Sequence, residues 1–186
     1  NYNFEVPEND LNLASYGWRD VQSNEYQDIC KDIKHWGINI NKGHSERQSM
    51  KANDPTKNDR YSDNADDCVF SSDLYTKTLP TASAYKLEFW TIFVLEGRSY
   101  DNVHVYCKSS TSVNGYEYID KFPGTNPSDS TKWPNADGNG WVKLSYDIPE
   151  SCIDNNKLGI IFHLKTDSGI TYAGAHIDQV EILYKE

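Results

Sequence analysis

The chain lacks any hydrophobic run that approaches the roughly 18 apolar residues of a membrane-spanning helix. It is also poor in basic residues, since 18 Lys and Arg stand against 28 Asp and Glu, for a formal net charge of −10. Nucleic-acid phosphates and anionic lipid surfaces are bound by clustered Lys and Arg, so this composition argues against a nucleic-acid partner and against an anionic membrane surface. The lack of a long apolar run argues against membrane insertion. It is compatible with cation binding, and equally with simple solubility.

Motifs for catalysis are missing as well. The sequence has no Gly-x-Ser-x-Gly elbow, no His-Glu-x-x-His pair, no P-loop and no Rossmann glycine pattern. A glycosidase needs two carboxylates flanking a cleft, and nothing in the sequence brings the candidates Glu88 and Glu117 together. His104, His163 and His176 lie on predicted strands, where they form either a zinc site or ordinary half-buried polar positions. The sequence predicts a protein that is not an enzyme.

Cysteine is scarce, and no two cysteines form a Cys-x-x-Cys pair. Their wide spacing argues against a structural zinc site and favours one or two disulfides in a secreted or cell-surface protein, with buried free thiols as the alternative. All three possible pairings remain open. Cys107 alternates with Val103 and Val105, so we expect it to point inward. The four cysteines are Cys30, Cys68, Cys107 and Cys152.

Helical patterns are nearly absent. Only residues 24–36 carry apolar side chains at spacings of three and four, which predicts one short amphipathic helix that Trp36 helps to pack. Residues 41–67 are polar with almost no apolar anchor. They predict a long polar surface loop, and a disordered insertion is the alternative.

Strand patterns are what the sequence does contain, together with 13% aromatic residues. Segment 84–97 is the clearest, because Leu87, Phe89 and Phe93 belong to one face while Lys86 and Trp90 belong to the other. Many short strands joined by Gly, Pro, Asn and Asp predict an all-β fold, a β-sandwich jelly roll of two antiparallel sheets with long polar loops. We expect a single domain over residues 1–186. Further strands are predicted at 68–77, 101–110, 116–122, 140–149, 157–167 and 175–185, with a turn-rich loop at 123–140.

The order of several short motifs resembles galactose-binding-like jelly-roll accessory domains. The motifs are an opening Asn3-Phe4-Glu5, Gly17-Trp18, then "LEFWTIFVLEGRSYDNVHV", "GWVKLSYDIP", "KLGIIFHLKTDSG" and "AGAHIDQVEIL". They are similar to the cleaved-adhesin domains of gingipain-type proteases, the domains beside immune-inhibitor-type metalloproteases, and several carbohydrate-binding modules. MAM domains share a looser version, although their cysteines differ. Such motifs specify a fold better than a ligand.

The resemblance implies a structural calcium ion that ties the first strand to the last. Asp178 stands among apolar residues, and a buried carboxylate needs hydrogen bonds, a counter-charge or a metal. By resemblance, Glu5 and Asp178 hold the ion, and Asn3 is a further ligand. The alternative is that Asp178 caps a turn or pairs with a lysine.

A second acidic group resembles the adhesin-domain pattern. Glu96, Asp101 and Asp167 sit at predicted strand ends, where loops cluster, and could hold another calcium ion. Solvated loop carboxylates are the alternative.

Glycan binding needs aromatic platforms and nearby polar side chains, which loops on a rigid scaffold commonly supply. Trp18 and Trp141 follow glycines in strand-like segments and are expected in the core. The predicted ligand contacts are Trp133, Asn135 and Asp137 in the loop at 123–140, Tyr116 and Tyr118 on the preceding strand, and Trp90.

The sequence therefore predicts a secreted, non-catalytic, calcium-stabilised module that binds a glycan or a cell-surface glycoconjugate, or that serves in adhesion. One alternative is a structural or protein-binding subunit of a surface assembly. Another is a polysaccharide-degrading enzyme on the same fold.

Overall fold

A computed structural model describes residues 18–20, 30, 36–39, 42–44, 48–52, 60–71, 79–96, 100–123, 140–154 and 157–185. Within them the strands are β1 (Trp18–Asp20), β2 (Trp36–Asn39), β3 (Ser49–Ala52), β4 (Asp66–Ser71), β5 (Ala84–Val94), β6 (Asn102–Lys108), β7 (Tyr116–Pro123), β8 (Val142–Ile148), β9 (Ile160–Lys165) and β10 (Gly174–Lys185). A 3₁₀ turn spans Glu150–Cys152.

These strands form two five-stranded sheets in which all paired neighbours are antiparallel. The first sheet has the order β1-β4-β9-β6-β7, and the second has the order β2-β3-β10-β5-β8. The predicted all-β sandwich of two antiparallel sheets is confirmed.

Aromatic rings from both sheets fill the core between them. Phe162 on β9 of the first sheet meets Phe89 on β5 of the second edge-to-face, with ring centroids 5.0 Å apart. Trp18 stacks on Phe162 at 5.5 Å. Such pairs add about 0.5–1.5 kcal/mol to the stabilisation from burial of their area. The core position predicted for Trp18 is confirmed. Trp141 is buried as well, at 4% exposure, but it packs against His44 and His176 outside this core.

Strand β5 shows the predicted two-residue alternation along its whole length. The side chains predicted to face inward are buried, whereas Lys86 is exposed and Trp90 is half-buried on the outer face. The segments predicted at 101–110, 140–149 and 157–167 contain β6, β8 and β9, and those at 116–122 and 175–185 match β7 and β10 to within one residue. The predicted strand at 68–77 begins earlier, at Asp66, and β4 ends at Ser71.

The prediction of one long surface loop over 41–67 is wrong. Strand β3 lies inside that interval and pairs with both β2 and β10. Its inward residues, Met50 and Ala52, are fully buried, but two apolar side chains in a polar segment give too little alternation to indicate a strand. Tyr61 is also fully buried, and β4 begins at Asp66 within the same interval.

Trp36 does not end a helix, because it is the first residue of β2 and is buried. Its indole Nε1 donates a hydrogen bond to the backbone carbonyl of Asp67 on the first sheet, at 3.2 Å. The rest of the predicted helix, apart from Cys30, lies outside the described residues.

Two disulfides connect the four cysteines, Cys30 to Cys68 and Cys107 to Cys152. Disulfides rather than free thiols are therefore confirmed. Cys107 is fully buried, as its alternation with Val103 and Val105 predicted. Loops of 38 and 45 residues are closed, which restricts the unfolded chain and so stabilises the folded one.

Among the described residues, no helix has the length and the apolar character that crossing a bilayer requires.

Candidate functional site

Three loop carboxylates meet at one end of the sandwich. Glu96 follows β5, Asp101 precedes β6 and Asp167 follows β9. One ligand oxygen from each lies within 4.8 Å of the other two, so the group, here called the acidic triad, could hold a metal ion. The sequence prediction had grouped these three residues, and the fold brings them together because the ends of β5 and β9 and the start of β6 lie at the same end of the sandwich.

Backbone and side-chain donors orient the acidic triad. The Tyr61 hydroxyl donates to Oδ2 of Asp101, and the Asp167 N–H donates to Oδ1 of the same carboxylate at 3.0 Å. The Ile170 N–H donates to Oε2 of Glu96 at 2.8 Å. The loop after β9, which carries Asp167, thus holds the carboxylates of both Asp101 and Glu96. Tyr61 was missed by the sequence analysis because it lies inside the interval assigned to a surface loop.

Burial raises the pKa of Asp101, and the neighbouring Asp167 carboxylate adds to this, whereas the Tyr61 hydroxyl bond opposes it. Carboxylate groups brought this close repel one another when ionised. A hard cation relieves that repulsion, and oxygen-only donor sets suit Ca²⁺ or Mg²⁺ rather than zinc or copper.

Gly169 lets the loop after β9 approach the acidic triad. A Cβ at this position would lie 2.5 Å from Oε2 of Glu96 and 2.7 Å from Oδ1 of Asp167. The Gly169 N–H also donates to Oδ1 of Asp167 at 2.6 Å. A larger residue would push two of the three carboxylates aside.

Asp178 on β10 is fully buried, as the sequence predicted. Its carboxylate accepts hydrogen bonds from the His44 N–H at 2.8 Å and from the Gln179 N–H at 2.7 Å. The pairing of β10 with β5 shifts register after Asp178, and Gln179 there has φ of 48°. The other predicted ligands of this calcium site, Glu5 and Asn3, lie outside the described residues.

An aromatic surface lies on the outer face of the first sheet. Tyr106 on β6 makes edge contacts with Tyr116 and Tyr118 on β7, at ring-centroid distances of 5.4 and 5.6 Å. We call these three residues the tyrosine face. Tyr118 is 47% exposed, and the other two are half-buried. Burial raises the pKa of Tyr106 to about 12, with the neighbouring tyrosines adding to the effect, so its hydroxyl remains protonated at neutral pH.

His104 extends the tyrosine face along β6. Its ring lies parallel to that of Tyr106, at an interplanar angle of 7° and a centroid distance of 6.0 Å, and meets Tyr118 at 6.1 Å. His163 on β9 lies directly opposite His104, with centroids 5.7 Å apart, and its Nε2 is 2.6 Å from Oδ1 of Asp66. Burial lowers the pKa of His104 to about 4, and His163 contributes to this shift.

A small hydrophobic cluster supports the tyrosine face from the side. It contains the Cys30–Cys68 disulfide with Phe70 and Ile161, and Tyr106 and Tyr116 pack against it. The sequence analysis predicted Tyr116 and Tyr118 but missed Tyr106. The alternation of "VHVYCK" places Tyr106 in phase with His104 and opposite to the inward Cys107, which is the signal that would have found it.

Trp90 lies on the outer face of the second sheet, so the fold does not place it beside the tyrosine face. The His44 ring stacks on it at 3.8 Å with an interplanar angle of 11°. Trp141 meets the same histidine edge-on at 5.9 Å. The three predicted loop contacts, Trp133, Asn135 and Asp137, lie outside the described residues.

The residues weighed for catalysis or zinc do not meet. Glu88 on the second sheet forms an ion pair with Lys143 at 2.5 Å, whereas Glu117 is on the first sheet, hydrogen-bonded to Ser151. His176 is on β10 of the second sheet and bonds Oγ of Ser49 at 2.9 Å, so it is separated from the pair His104 and His163. The fold therefore does not build the three-histidine zinc site that was one option from the sequence.

Comparison with known proteins gives matches among solved structures. The K1 cleaved adhesin domain of Lys-gingipain from Porphyromonas gingivalis W83 matches 100% of this chain and 96% of its own, with 14% identity and a TM-score of 0.58. The CBM22-1–GH10 modules of Clostridium thermocellum xylanase 10B, complexed with xylohexaose, match over 99% of this chain and 28% of theirs, at 16% identity and a TM-score of 0.53. CBM28, a carbohydrate-binding module specific for non-crystalline cellulose, matches over 90% of this chain and 88% of its own, at 10% identity and a TM-score of 0.52.

No protein-family model and no curated protein sequence matches the chain. At these identities the structural matches concern the fold. The chain is thus similar in fold to cleaved-adhesin domains and carbohydrate-binding modules, as the order of its sequence motifs indicated.

Proposed function

We propose that the protein is a non-catalytic extracellular module that binds carbohydrate, or attaches to a glycan-bearing surface, through the tyrosine face. The observation that carries this proposal is the contiguous set of Tyr106, Tyr116 and Tyr118 rings on an outer sheet face, with Tyr118 almost half exposed. Aromatic rings offer a flat apolar surface to the apolar side of a pyranose ring, and their hydroxyls offer hydrogen bonds to its polar edge.

The fold comparison supports the same function. One matched structure, of which this chain spans 28%, contains CBM22-1 and GH10 modules complexed with xylohexaose, and another is of a carbohydrate-binding module specific for non-crystalline cellulose. Fold alone does not define a ligand, so the proposal depends on the surface residues. Trp133, Asn135 and Asp137, in the segment predicted as a loop at 123–140, remain proposed contacts. Trp90 lies on the opposite sheet, so it remains a proposed contact of a second surface, separate from the tyrosine face.

The test is a panel of immobilised polysaccharides probed with the wild type and with Tyr118→Ala. Tyr184→Ala is a matched control, because Tyr184 is 49% exposed but lies on the second sheet. We expect binding to at least one polysaccharide that Tyr118→Ala weakens about tenfold or more, the loss of roughly one good stacking contact, and that Tyr184→Ala leaves intact. A panel without binding, or equal losses in both variants, would refute the tyrosine face as the binding surface.

We further propose that the acidic triad holds calcium and that this ion orders the loops after β5 and β9. The donor set supports this assignment, since three carboxylates supply hard oxygen ligands and backbone carbonyls of the same loops can complete the six to eight that calcium takes. Glu5, Asn3 and Asp178 remain a second proposed calcium site. The test is isothermal titration with Ca²⁺ of the wild type, Asp167→Asn and Asp178→Asn, which measures how many ions bind and which carboxylates hold them.

A protein partner or surface assembly is the second candidate function. Three large exposed side chains adjoin the acidic triad: Tyr100 and Ile170 are each 58% exposed, and Tyr172 is 38% exposed. Exposed apolar groups of this kind mark protein contacts when they are contiguous. Concentration-dependent association by sedimentation velocity, abolished in Ile170→Ser, would favour this function; a monomer at all concentrations would count against self-assembly.

A further inference from the structure

The tyrosine face is bordered by lysines, although the chain as a whole is strongly acidic. Lys121 on β7 lies directly opposite His104 on β6. Lys165 on β9 is two residues beyond His163, the partner of His104 on its other side. Strand β6 is between β7 and β9, so His104 has one lysine on each flank.

Both lysines point to the outer face of the first sheet and are exposed. Phe122 and Leu164, the neighbours of Lys121 and Lys165 in their strands, are buried in the core, which sets the direction of the lysines. The positive charges of both lysines disfavour protonation of the His104 ring and so contribute to lowering its pKa. Their positive potential therefore overlaps the aromatic surface.

Two carboxylates lie close to these lysines. Asp66 on β4 lies directly opposite Lys165 and is 2.6 Å from Nε2 of His163, and Asp120 accepts a hydrogen bond from the Lys121 N–H at the register shift of β7. Among the described residues, no carboxylate forms an ion pair with Lys121 or Lys165. Two exposed ammonium groups without an ion pair beside the tyrosine face are therefore available to an anionic ligand, although the chain as a whole has a net charge of −10.

We propose that the tyrosine face selects anionic glycans, whose uronate carboxylate or sulfate group lies beside His104 and binds Lys121 and Lys165. This inference rests on the proposed carbohydrate-binding function and adds the class of ligand. The sugar rings stack on Tyr118 and Tyr106, while the two ammonium groups bind the anionic substituent from opposite sides. His104 is neutral at physiological pH, so it contributes a hydrogen bond to a hydroxyl and not a charge.

The test compares each anionic polymer with its neutral counterpart, by affinity electrophoresis and isothermal titration. For carboxylates the probes are polygalacturonate and the same polymer after carboxyl reduction. For sulfate they are dextran sulfate and dextran. The proteins are the wild type, Lys121→Gln with Lys165→Gln, and Lys185→Gln as a control with an exposed lysine on the second sheet.

We expect the wild type to bind one anionic polymer more tightly than its neutral counterpart, and more weakly as ionic strength rises. The double lysine variant should lose about three- to tenfold in affinity for the anionic polymer, as expected for two partly exposed ion pairs. Its affinity for any neutral glycan should not change, and Lys185→Gln should behave as wild type. Whether polygalacturonate or dextran sulfate shows this pattern identifies the anionic group.

Equal affinity for the anionic and neutral polymers, with no effect of the lysine changes, would overturn this inference while leaving carbohydrate binding intact. Equal losses in the double variant and in Lys185→Gln would show a general charge effect and would also overturn it. If the wild type binds no glycan of any kind, the proposed function fails together with the inference.

Discussion

The Tyr61 hydroxyl donates a hydrogen bond to Oδ2 of Asp101, and both residues are almost completely buried. The bond links the segment before β4 to the start of β6 and supplies a donor to the most buried carboxylate of the acidic triad. If a buried carboxylate loses a hydrogen-bond donor, the free-energy cost of removing it from water is no longer offset by that bond.

Tyr61→Phe is therefore expected to lower the free energy of unfolding by about 1–3 kcal/mol. Urea denaturation in the presence of EDTA measures this loss without a contribution from bound metal. Tyr85→Phe is the matched control, because its hydroxyl donates to the neutral Pro80 carbonyl and its loss should be smaller. If Tyr61→Phe lowers the free energy of unfolding by no more than Tyr85→Phe does, the hydrogen bond to Asp101 stabilises the fold no more than one to a neutral carbonyl.

Gly169→Ala tests whether the acidic triad holds calcium. The added Cβ displaces the carboxylates of Glu96 and Asp167, so we expect calcium affinity to fall about tenfold or more while the melting temperature in EDTA changes little. Gly37→Ala is the control, since a Cβ there meets nothing within 4 Å. Titration calorimetry gives the affinities. Unchanged calcium binding in Gly169→Ala would exclude the triad as the ion's site.

The low pKa of His104 makes stability depend on pH. Burial is the largest cause of the shift of this pKa from 6.5 to about 4; His163, Lys121 and Lys165 contribute to it, and Asp66 opposes them. Between these two values the unfolded chain binds a proton that the folded chain does not, so stability falls as the pH decreases from about 6.5 to about 4. Above pH 6.5 this contribution no longer varies with pH.

His104→Gln should reduce that slope, because glutamine does not titrate. The measurement is the free energy of unfolding of both proteins across pH 4 to 7, together with the His104 titration followed by NMR. Subtracting one unfolding free energy from the other at each pH removes the contribution of the carboxylates, which both proteins have. A His104 that titrates near 6.5 in the folded protein, or parallel pH profiles, would contradict the account.

The two disulfides are expected to differ in their effect on ligand binding. Loss of either, by paired Cys→Ser changes, should cost about 4 kcal/mol of stability, since the closed loops are of similar length. Only the loss of Cys30–Cys68 should also weaken glycan binding, because Tyr106 and Tyr116 pack against the cluster that contains it. Binding measured well below both melting temperatures separates these effects. Equal changes in affinity for the two pairs would argue against a supporting role of that cluster.

The sequence predicted best where alternation is long and strongly apolar. Strand β5 and the inward position of Cys107 followed from a two-residue period, which needs no knowledge of the partner strands. Strand β3 was missed because only Met50 and Ala52 face the core, and their polar neighbours Ser49 and Lys51 are buried on the outer face. A short strand of this kind is defined by its pairing with β2 and β10 rather than by its own composition.

The candidate sites likewise depend on contacts between distant segments. Glu96, Asp101 and Asp167 were grouped by resemblance, and whether they meet depends on which strand ends lie at the same end of the sandwich. Two of the three residues of the tyrosine face, Tyr116 and Tyr118, were predicted because they alternate on one strand. Tyr106 lies beside them only through the β6–β7 register. Which outer face carries Trp90 depends on sheet order, and a single sequence does not contain that information.

The measurement that tests the central claim most directly is NMR chemical-shift mapping with a glycan taken from the polysaccharide panel. The account predicts that the largest changes occur at Tyr106, Tyr116, Tyr118 and His104 on β6 and β7, and that Tyr118→Ala needs about tenfold more glycan, or still more, to reach them. Changes centred on Trp90 of the opposite sheet, or none at saturating glycan, would contradict it.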